Sequence, residues 1–512
     1  MTRLLAIDSG LTVTKAVIFD GFGQQLGVAQ CNVRQLMPKP HHVERDMDDL
    51  WRQTATAIRE VLEATKTNPN DIAAIGVTAH GDGLYLLDKQ AKPLGHGILS
   101  LDSRAAQIVR DWQRDGTDHK SLAITGQMPH VSAPSSLLAW IKQNDPDKFA
   151  KIGHIIGCKD WLRFCLTHTL GTDRTEASTS FTDVNTQTYS KDALALFGLS
   201  ELAPALVDVA HSADVVGAVT DTASHITGLR PGTPVVAGVH DVTASALGIG
   251  AHAHGIVGIV AGTYSINECL SDAPKTNAAW FCRNGVDQDT WNSMAISPAS
   301  TTNYDWFIDT FCAAERDREA ALGNTIHTLL APEIEAGLSR ASSILYHPYL
   351  FGSPFGAAPS AGLNGLRGWH DRADILAALL EGIAFNHRQH IDDLRDAFPA
   401  QTARLTGGVS RNPAIAQLFA DVLAMPVVIT DTDEAAAWGA ALCAGAGVGL
   451  FGRFDADPRD LADVAVTYRP RVDHVAHYAA RFAAYRNIAT SMPDMWSQLN
   501  ALGGLGPRGS HD

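Results

Sequence analysis

No stretch of the 512 residues approaches the roughly eighteen consecutive apolar residues of a membrane-spanning helix, so none is expected. The opening, Met1-Thr2-Arg3-Leu4-Leu5-Ala6-Ile7-Asp8, reaches an acid too soon for a secretory signal. Cysteine is sparse: the seven, at positions 31, 158, 165, 269, 282, 312 and 443, are odd in number and scattered. Cys158 and Cys165 have no partners at zinc-site spacing. Neither a disulfide framework nor a metal centre is therefore expected of them, and the cytoplasm is the expected compartment. Basic residues are outnumbered, 40 against 55 acidic, for a net charge of −15. That balance argues against nucleic acid or an anionic membrane as partner. Two nucleotide signatures are missing too: Gly, four residues, Gly-Lys-Ser/Thr, and a Gly-x-Gly-x-x-Gly opening a helix. Neither a Walker-type nor a dinucleotide site is expected.

What is plentiful is glycine, 44 residues, beside an ordinary 45% of hydrophobic residues. A chain this long exceeds a single core, so two or more domains are expected. Leu4 to Asp8 and Thr14 to Phe19 read as a β-hairpin around Ser9-Gly10-Leu11-Thr12-Val13. The periodicity predicts a helix over Met47–Ala64, then strands at Ala73–Thr78 and Leu84–Leu87. Pro234 to Asp241 reads as a buried strand ending at the carboxylate, with a helix just after it. Asp241 would then sit at a sheet's carboxyl edge, where α/β proteins place ligands, although Asp is also a good helix cap. His240 is read as structural, since in a strand it would face away from Asp241.

A second hairpin, Ile256–Ala261 and Ser265–Leu270 around Gly262-Thr263-Tyr264, echoes the first and suggests two similar halves. Farther on, the pattern predicts a long amphipathic helix over Ile375–Leu394 and a helix opened by Asn412 and Pro413. A strand over Val427–Thr430 follows, then a small-residue helix over Glu434–Ala446 able to admit a close neighbour, and a final helix near Val475–Leu502. Three Gly-rich turns stand out: Asp8-Ser9-Gly10, Gly262-Thr263-Tyr264-Ser265 and Gly407-Gly408-Val409-Ser410. Backbone N–H groups in such turns can cradle phosphate oxygens.

Taken together, Asp8-Ser9-Gly10-Leu11-Thr12-Val13-Thr14-Lys15, the Gly262-Thr263 turn, Asp241, Glu381-Gly382-Ile383-Ala384 and Leu405-Thr406-Gly407-Gly408 resemble the FGGY family of carbohydrate kinases. The likeness runs from about residue 3 to about 450. It implies an α/β fold of two actin-like (RNase H-like) ATPase domains flanking a central cleft. The expected division is 1–247, holding the sugar side and the catalytic Asp, and 248–485, holding the ATP side, with 503–512 a disordered tail. The resemblance implies that Asp241 is the base taking the proton of the attacking hydroxyl. It also implies that Asp8 helps to place Mg²⁺ through water, with Asp241 a further candidate ligand. Gly10, Thr12, Thr14, Lys15, Gly262 and Thr263 would attend the phosphates, and Gly407, Gly408 and Asn412 the adenosine of ATP. Leu11 departs from the family, which usually has Thr there.

On the substrate side the candidates are His80, Asp82, Asp102 and Arg104, with Asp241. A carboxylate beside an arginine suits vicinal hydroxyls. Asp82 stands where xylulokinase-like members usually carry His, and the run His80 to Asp88 looks closer to L-xylulose and erythritol kinases. The expected activity is transfer of the ATP γ-phosphate to a primary hydroxyl of a ketopentose or polyol, L-xylulose-like first. D-xylulose, erythritol or another polyol are the alternative acceptors. A catalytically weak sugar or nucleotide sensor and an actin- or chaperone-like ATPase are the rival classes. A homodimer is the expected assembly.

Overall fold

The computed structural model describes residues 2–355 and 359–502. The expected 503–512 tail lies outside them. Contacts group the described chain into two compact units. Unit 1 comprises Met1–His254, Cys269–Met294 and Asp431–Val464; unit 2 comprises Gly255–Glu268, Ala295–Thr430 and the chain from Ala465 onward.

The first sheet is built from β1 (Arg3–Ser9), β2 (Val13–Asp20), β3 (Gln25–Asn32), β4 (Ile72–Ala79), β5 (Val215–Ala218) and β6 (Pro234–Val236). Its order is β5-β6-β4-β1-β2-β3. β1 runs antiparallel to β2 and parallel to β4, because β1 and β2 share a tight turn whereas β4 returns through a helix. That crossover helix is α1 (Met47–Ala64), started by Asp46, whose side chain accepts from Asp49 N. Its apolar stripe, Leu50, Ile58 and Val61, is buried with Leu5, Ile7 and Ile75 of the sheet. Leu4, Ala6 and Ala74 point to the opposite face, so the central strands are apolar on both sides. The helix α2 (Asp241–Gly248) follows β6 by a four-residue link.

The second sheet contains β7 (Ile256–Ala261), β8 (Ser265–Ser271), β9 (Phe281–Asn284), β10 (Trp291–Ser297), β11 (Thr402–Thr406), β12 (Val427–Thr430) and β13 (Ala465–Tyr468). Its order is β9-β10-β8-β7-β11-β12-β13. Read outward from β7, it repeats the first sheet. An antiparallel hairpin partner lies on one side, two parallel strands on the other, and an antiparallel strand at that edge. The duplication suggested by two short hairpins is thus a duplication of whole sheets. Helices α3 (Thr302–Phe311), α4 (Ile326–Leu338), α5 (Arg372–Arg395) and α6 (Pro413–Leu423) belong to unit 2.

The small-residue helix α7 (Ala435–Gly447) belongs to unit 1, where it packs on α2, β1 and β4. Glycine makes this approach feasible. A Cβ on Gly439 would lie 1.9 Å from the Ala244 carbonyl oxygen, and one on Gly76 would lie 2.1 Å from that of Ala440. The final helix of the sequence reading is two helices, Val472–Ser491 and Pro493–Leu502. Pro493 has no N–H for the preceding turn and starts the second. Among the described residues no helix is long and apolar enough to cross a membrane.

Candidate active site

Asp241 is reached differently from the sequence expectation. The strand stops at Val236, and 237–240 form a link before Asp241 opens α2. Gly238 has φ +83, and a Cβ there would meet the Val77 carbonyl oxygen at 2.1 Å. Thr78 Oγ1 donates to the Val239 carbonyl at 2.7 Å, and His240 N donates to Thr175 Oγ1 at 2.9 Å. Thr175 in turn donates to Asp173 at 2.7 Å, and the Lys159 ammonium lies 2.9 Å from that buried carboxylate. Asp173 is therefore scaffold beneath the link. With no strand here, His240 does not face away from Asp241: its Nδ1 is 3.5 Å from Asp241 Oδ1.

The Asp241 side chain keeps 31% of its surface open, and Oδ1 accepts from Val242 N at 2.8 Å. It therefore satisfies a first-turn N–H of α2 and still presents a carboxylate. Burial, and then the charge of Asp8, push its pKa up to about 7. Burial likewise raises Asp8 to about 6, against the lowering effect of Lys15. Lys15 Nζ is 2.7 Å from Glu434 Oε2. Two neighbouring carboxyls resisting ionisation suit a divalent cation. Mg²⁺ needs only one or two protein carboxylates beside phosphate oxygens. Among the described residues no group of three or more His, Cys, Asp or Glu could hold a metal, so any cation here must complete its shell with phosphate and water.

In the β1–β2 turn, Gly10 N donates to the Val13 carbonyl at 2.9 Å, while the N–H groups of Leu11 and Thr12 carry no hydrogen bond among the described residues. The Leu11 carbonyl accepts from Gln35 Nε2 at 3.1 Å, and buried Arg45 donates to the Gly10 carbonyl at 3.2 Å. Thr14 corrects the expectation of a phosphate ligand. Strand alternation turns its side chain inward to 0% exposure, where its hydroxyl sits 2.9 Å from that of Thr54.

Asp82 is the other acidic centre. Burial alone would raise its carboxyl, but the charges of Arg283 and His130 overcome that and hold it well below the usual range. Arg283 Nη2 donates to Asp82 Oδ1 at 2.8 Å, and His130 Nε2 lies 3.4 Å from the same oxygen. Sequence reasoning missed Arg283 and His130. The one available signal was an arginine inside the short strand Phe281-Cys282-Arg283-Asn284. His80 is buried against Tyr85, 3.3 Å from its hydroxyl; burial, then the charge of Arg45, lower it to about 3, so it is neutral. Asp102 departs from the expected polyol ligand. It is 0% exposed, and its oxygens accept from Val43 N at 2.7 Å and Arg104 Nη2 at 2.7 Å. Arg104 also donates to Glu44 at 2.7 Å. This pair is closed on itself because Asp102 and Arg104 stand two residues apart in a turn.

Unit 2 holds the remaining candidates. Gly262 and Gly408 each have open space where a Cβ would stand, whereas Gly407 has φ +113 and lies against the Ala261 carbonyl. Thr263 is exposed beside Gly262, whose carbonyl accepts from Thr301 N at 3.1 Å. Asn412 caps α6, accepting from Ala414 N at 2.9 Å. A cavity of about 910 Å³ is lined by Tyr304, Asp305, His327, Gly408, Asn412 and Tyr468. That volume suits a nucleoside.

Residues 3–248 match the N-terminal domain, and residues 257–448 the C-terminal domain, of the FGGY family of carbohydrate kinases. The chain is 32% identical over 501 residues to the L-xylulose/3-keto-L-gulonate kinase of Escherichia coli, covering 97% of this chain and 98% of that protein. It is 31% identical to a probable L-xylulose kinase of Pasteurella multocida, covering 97% and 100%. The crystal structure of xylulose kinase from Rhodospirillum rubrum, 22% identical, superposes with a TM-score of 0.82 over 97% of this chain and 100% of that one. The two repeated sheets are the two actin-like ATPase domains of that fold. The chain belongs to the FGGY family of carbohydrate kinases, ATP-using phosphotransferases with an alcohol group as acceptor.

Proposed function

We propose that this kinase phosphorylates a primary hydroxyl of a ketopentose, L-xylulose first, with Asp241 as the general base. The observation that carries the reading is the Asp241 carboxyl, partly open, anchored through Val242 N, and raised to about 7. A base with a pKa near the working pH combines an ionised fraction with real affinity for the proton. It takes the proton of the attacking hydroxyl as that oxygen bonds to phosphorus. The substrate choice follows the relatives named for L-xylulose, together with Asp82 on the acceptor side.

Phosphoryl transfer needs mainly alignment and neutralisation of charge. The N–H groups of Leu11 and Thr12 and the Lys15 ammonium are the proposed phosphate contacts in unit 1, with Gly262 and Thr263 those of unit 2. Glu434 holds Lys15 in place. Gly408 and Asn412 line the cavity proposed for adenosine, and Gly407 is the proposed turn residue just before them. Mg²⁺, held by Asp8 through water with Asp241 as a second carboxylate, would neutralise phosphate charge. Asp102 and Arg104 are proposed to brace the segment around Val43 rather than to touch sugar. Cys31, Cys158, Cys165, Cys282, Cys312 and Cys443 form no disulfide among the described residues, which suits a reducing compartment, and the cytoplasm is the one proposed.

The test is ADP release with Mg·ATP across L-xylulose, D-xylulose, L-ribulose, D-ribulose, erythritol, glycerol and gluconate. The highest kcat/KM is expected on L-xylulose. A higher value on any other acceptor replaces the substrate assignment, and silence on all of them removes it.

A further inference from the structure

Arg283 is paired with Asp82 of the proposed acceptor site, and its side chain is only 1% exposed. Every nitrogen of the guanidinium has a neighbour. Nε donates to Gln127 Oε1 at 3.1 Å, Nη2 donates to Asp82 Oδ1 at 2.8 Å, and Nη1 lies 3.5 Å from His240 Nε2. Its plane lies over the Phe281 ring at 5.0 Å, and Gln127 is itself fixed, donating to the Ser178 carbonyl at 2.7 Å. This is a clamped group, unable to swing toward a ligand without abandoning buried partners.

The clamp acts on Asp82. Both His130 and Arg283 address Oδ1, while Oδ2 accepts no hydrogen bond from the described residues, and 16% of the side chain is open. His240, between Arg283 and Asp241, joins Asp82 to the proposed base through an unbroken row of side chains. The proposed acceptor site therefore offers a ligand two carboxylates, Asp82 and Asp241, whereas its arginine is already neutralised. Hydroxyl donors satisfy such a surface. A ligand carboxylate would meet like charge beside an arginine that Asp82 already neutralises.

We infer that Arg283 and Asp82 form a charge gate that admits neutral ketoses and polyols and rejects sugar acids. The inference rests on the acceptor site proposed above. It separates this chain from its Escherichia coli relative, whose name includes a keto acid.

The experiment compares kcat/KM for L-xylulose and 3-keto-L-gulonate in the wild-type protein and in Asp82→Asn. The wild type is expected to prefer the neutral sugar by at least ~100-fold. In Asp82→Asn, which removes the carboxylate charge and leaves Arg283 in place with its positive charge uncancelled, that ratio is expected to shrink by ~10-fold or more, because a like-charge contact is lost and the field at the site turns toward positive. A wild type that uses the acid at least as well as the neutral sugar overturns the gate while leaving the kinase reading intact. So does an unchanged ratio in a folded variant. Turnover of neither compound nor of any other acceptor overturns both. Should the variant fail to fold, ligand-induced thermal shifts of the wild type decide. L-xylulose is expected to raise the melting temperature and 3-keto-L-gulonate to leave it unmoved; an equal rise with the acid removes the gate.

Discussion

Asp241 serves two demands that pull against each other. As first residue of α2 it gains from accepting Val242 N, yet it shares its surroundings with Asp8, so the folded protein holds its proton up to about pH 7. Only the ionised form can act as a base. For the free enzyme, kcat/KM for the sugar is therefore expected to rise with pH through about 7 and then level. A profile flat from pH 5.5 to 8.5 would show that another group accepts the proton. The linkage has the opposite sign for stability. The folded value lies above the ordinary 3.8, so the native state binds more proton than the unfolded chain across that window, and stability drains away as pH rises through it. Asp241→Asn keeps the acceptor for Val242 N but removes the charge. It is expected to melt higher than wild type at pH 8, with the gap closing toward pH 4, while kcat falls by about 10²–10⁴-fold. A near-normal kcat in that variant would take Asp241 out of the base role.

How legible such a residue is depends on where its neighbours come from. Asp241, Asp8 and Lys15 sit in short contiguous motifs, so a linear reading reaches them. The partner of Asp82 lies 201 positions away in β9, and no local pattern couples the two. Thr14 and Asp102 were misread for a related reason. A residue type suited to a ligand was visible, but not which face of the chain it would take.

Elements set by local signals were readable almost to the residue. α1 runs over Met47–Ala64, β7 over Ile256–Ala261, and α6 is opened by Asn412 and Pro413, all as the caps and periodicity predict. The link before α2 was not readable, because tertiary bonds from Thr78 and Thr175 hold it out of strand geometry. α7 lies between these cases. Its small residues announce a close neighbour without naming α2, about 190 residues earlier in the chain. Gly439→Ala would drive a Cβ into the Ala244 carbonyl, a backbone atom that cannot rotate aside. The expected loss is about 3 kcal/mol, at the upper end of overpacking costs, read as a lowered urea midpoint with unchanged slope. Gly368→Ala, with no atom within 4 Å of the new Cβ, should stay within about 0.5 kcal/mol. Asn412 can be split similarly. Asn412→Ala is expected to lose about 1 kcal/mol of stability with the cap and also to weaken ADP binding. Asn412→Ser, which restores a cap, should recover only the stability. Recovery of both by Ser would leave Asn412 a cap alone.

The two sheets repeat one strand order, but the two compact units are not built one after the other along the chain. It passes between them after His254, Glu268, Met294, Thr430 and Val464. Unit 1 is consequently incomplete at His254. It still lacks β9 with Arg283, and α7, whose Ala437, Trp438, Ala440 and Ala441 bury Leu4, Ala6, Ala74 and Val236 of the first sheet. A fragment of residues 1–254 would contain the β1–β2 hairpin, Asp8, Asp82 and Asp241, yet leave one face of that sheet in water. Burial of apolar area is the main force holding such a sheet together, so the loss falls on the core itself. The fragment is expected to keep much of its far-UV circular dichroism, lose its near-UV signal, bind ANS and unfold without a sharp transition, as loosely packed states do. A fragment that instead unfolds cooperatively with native near-UV bands would show that the first sheet closes without α7. The 431–464 return of the chain would then serve the placement of Glu434 beside Lys15 rather than the stability of unit 1.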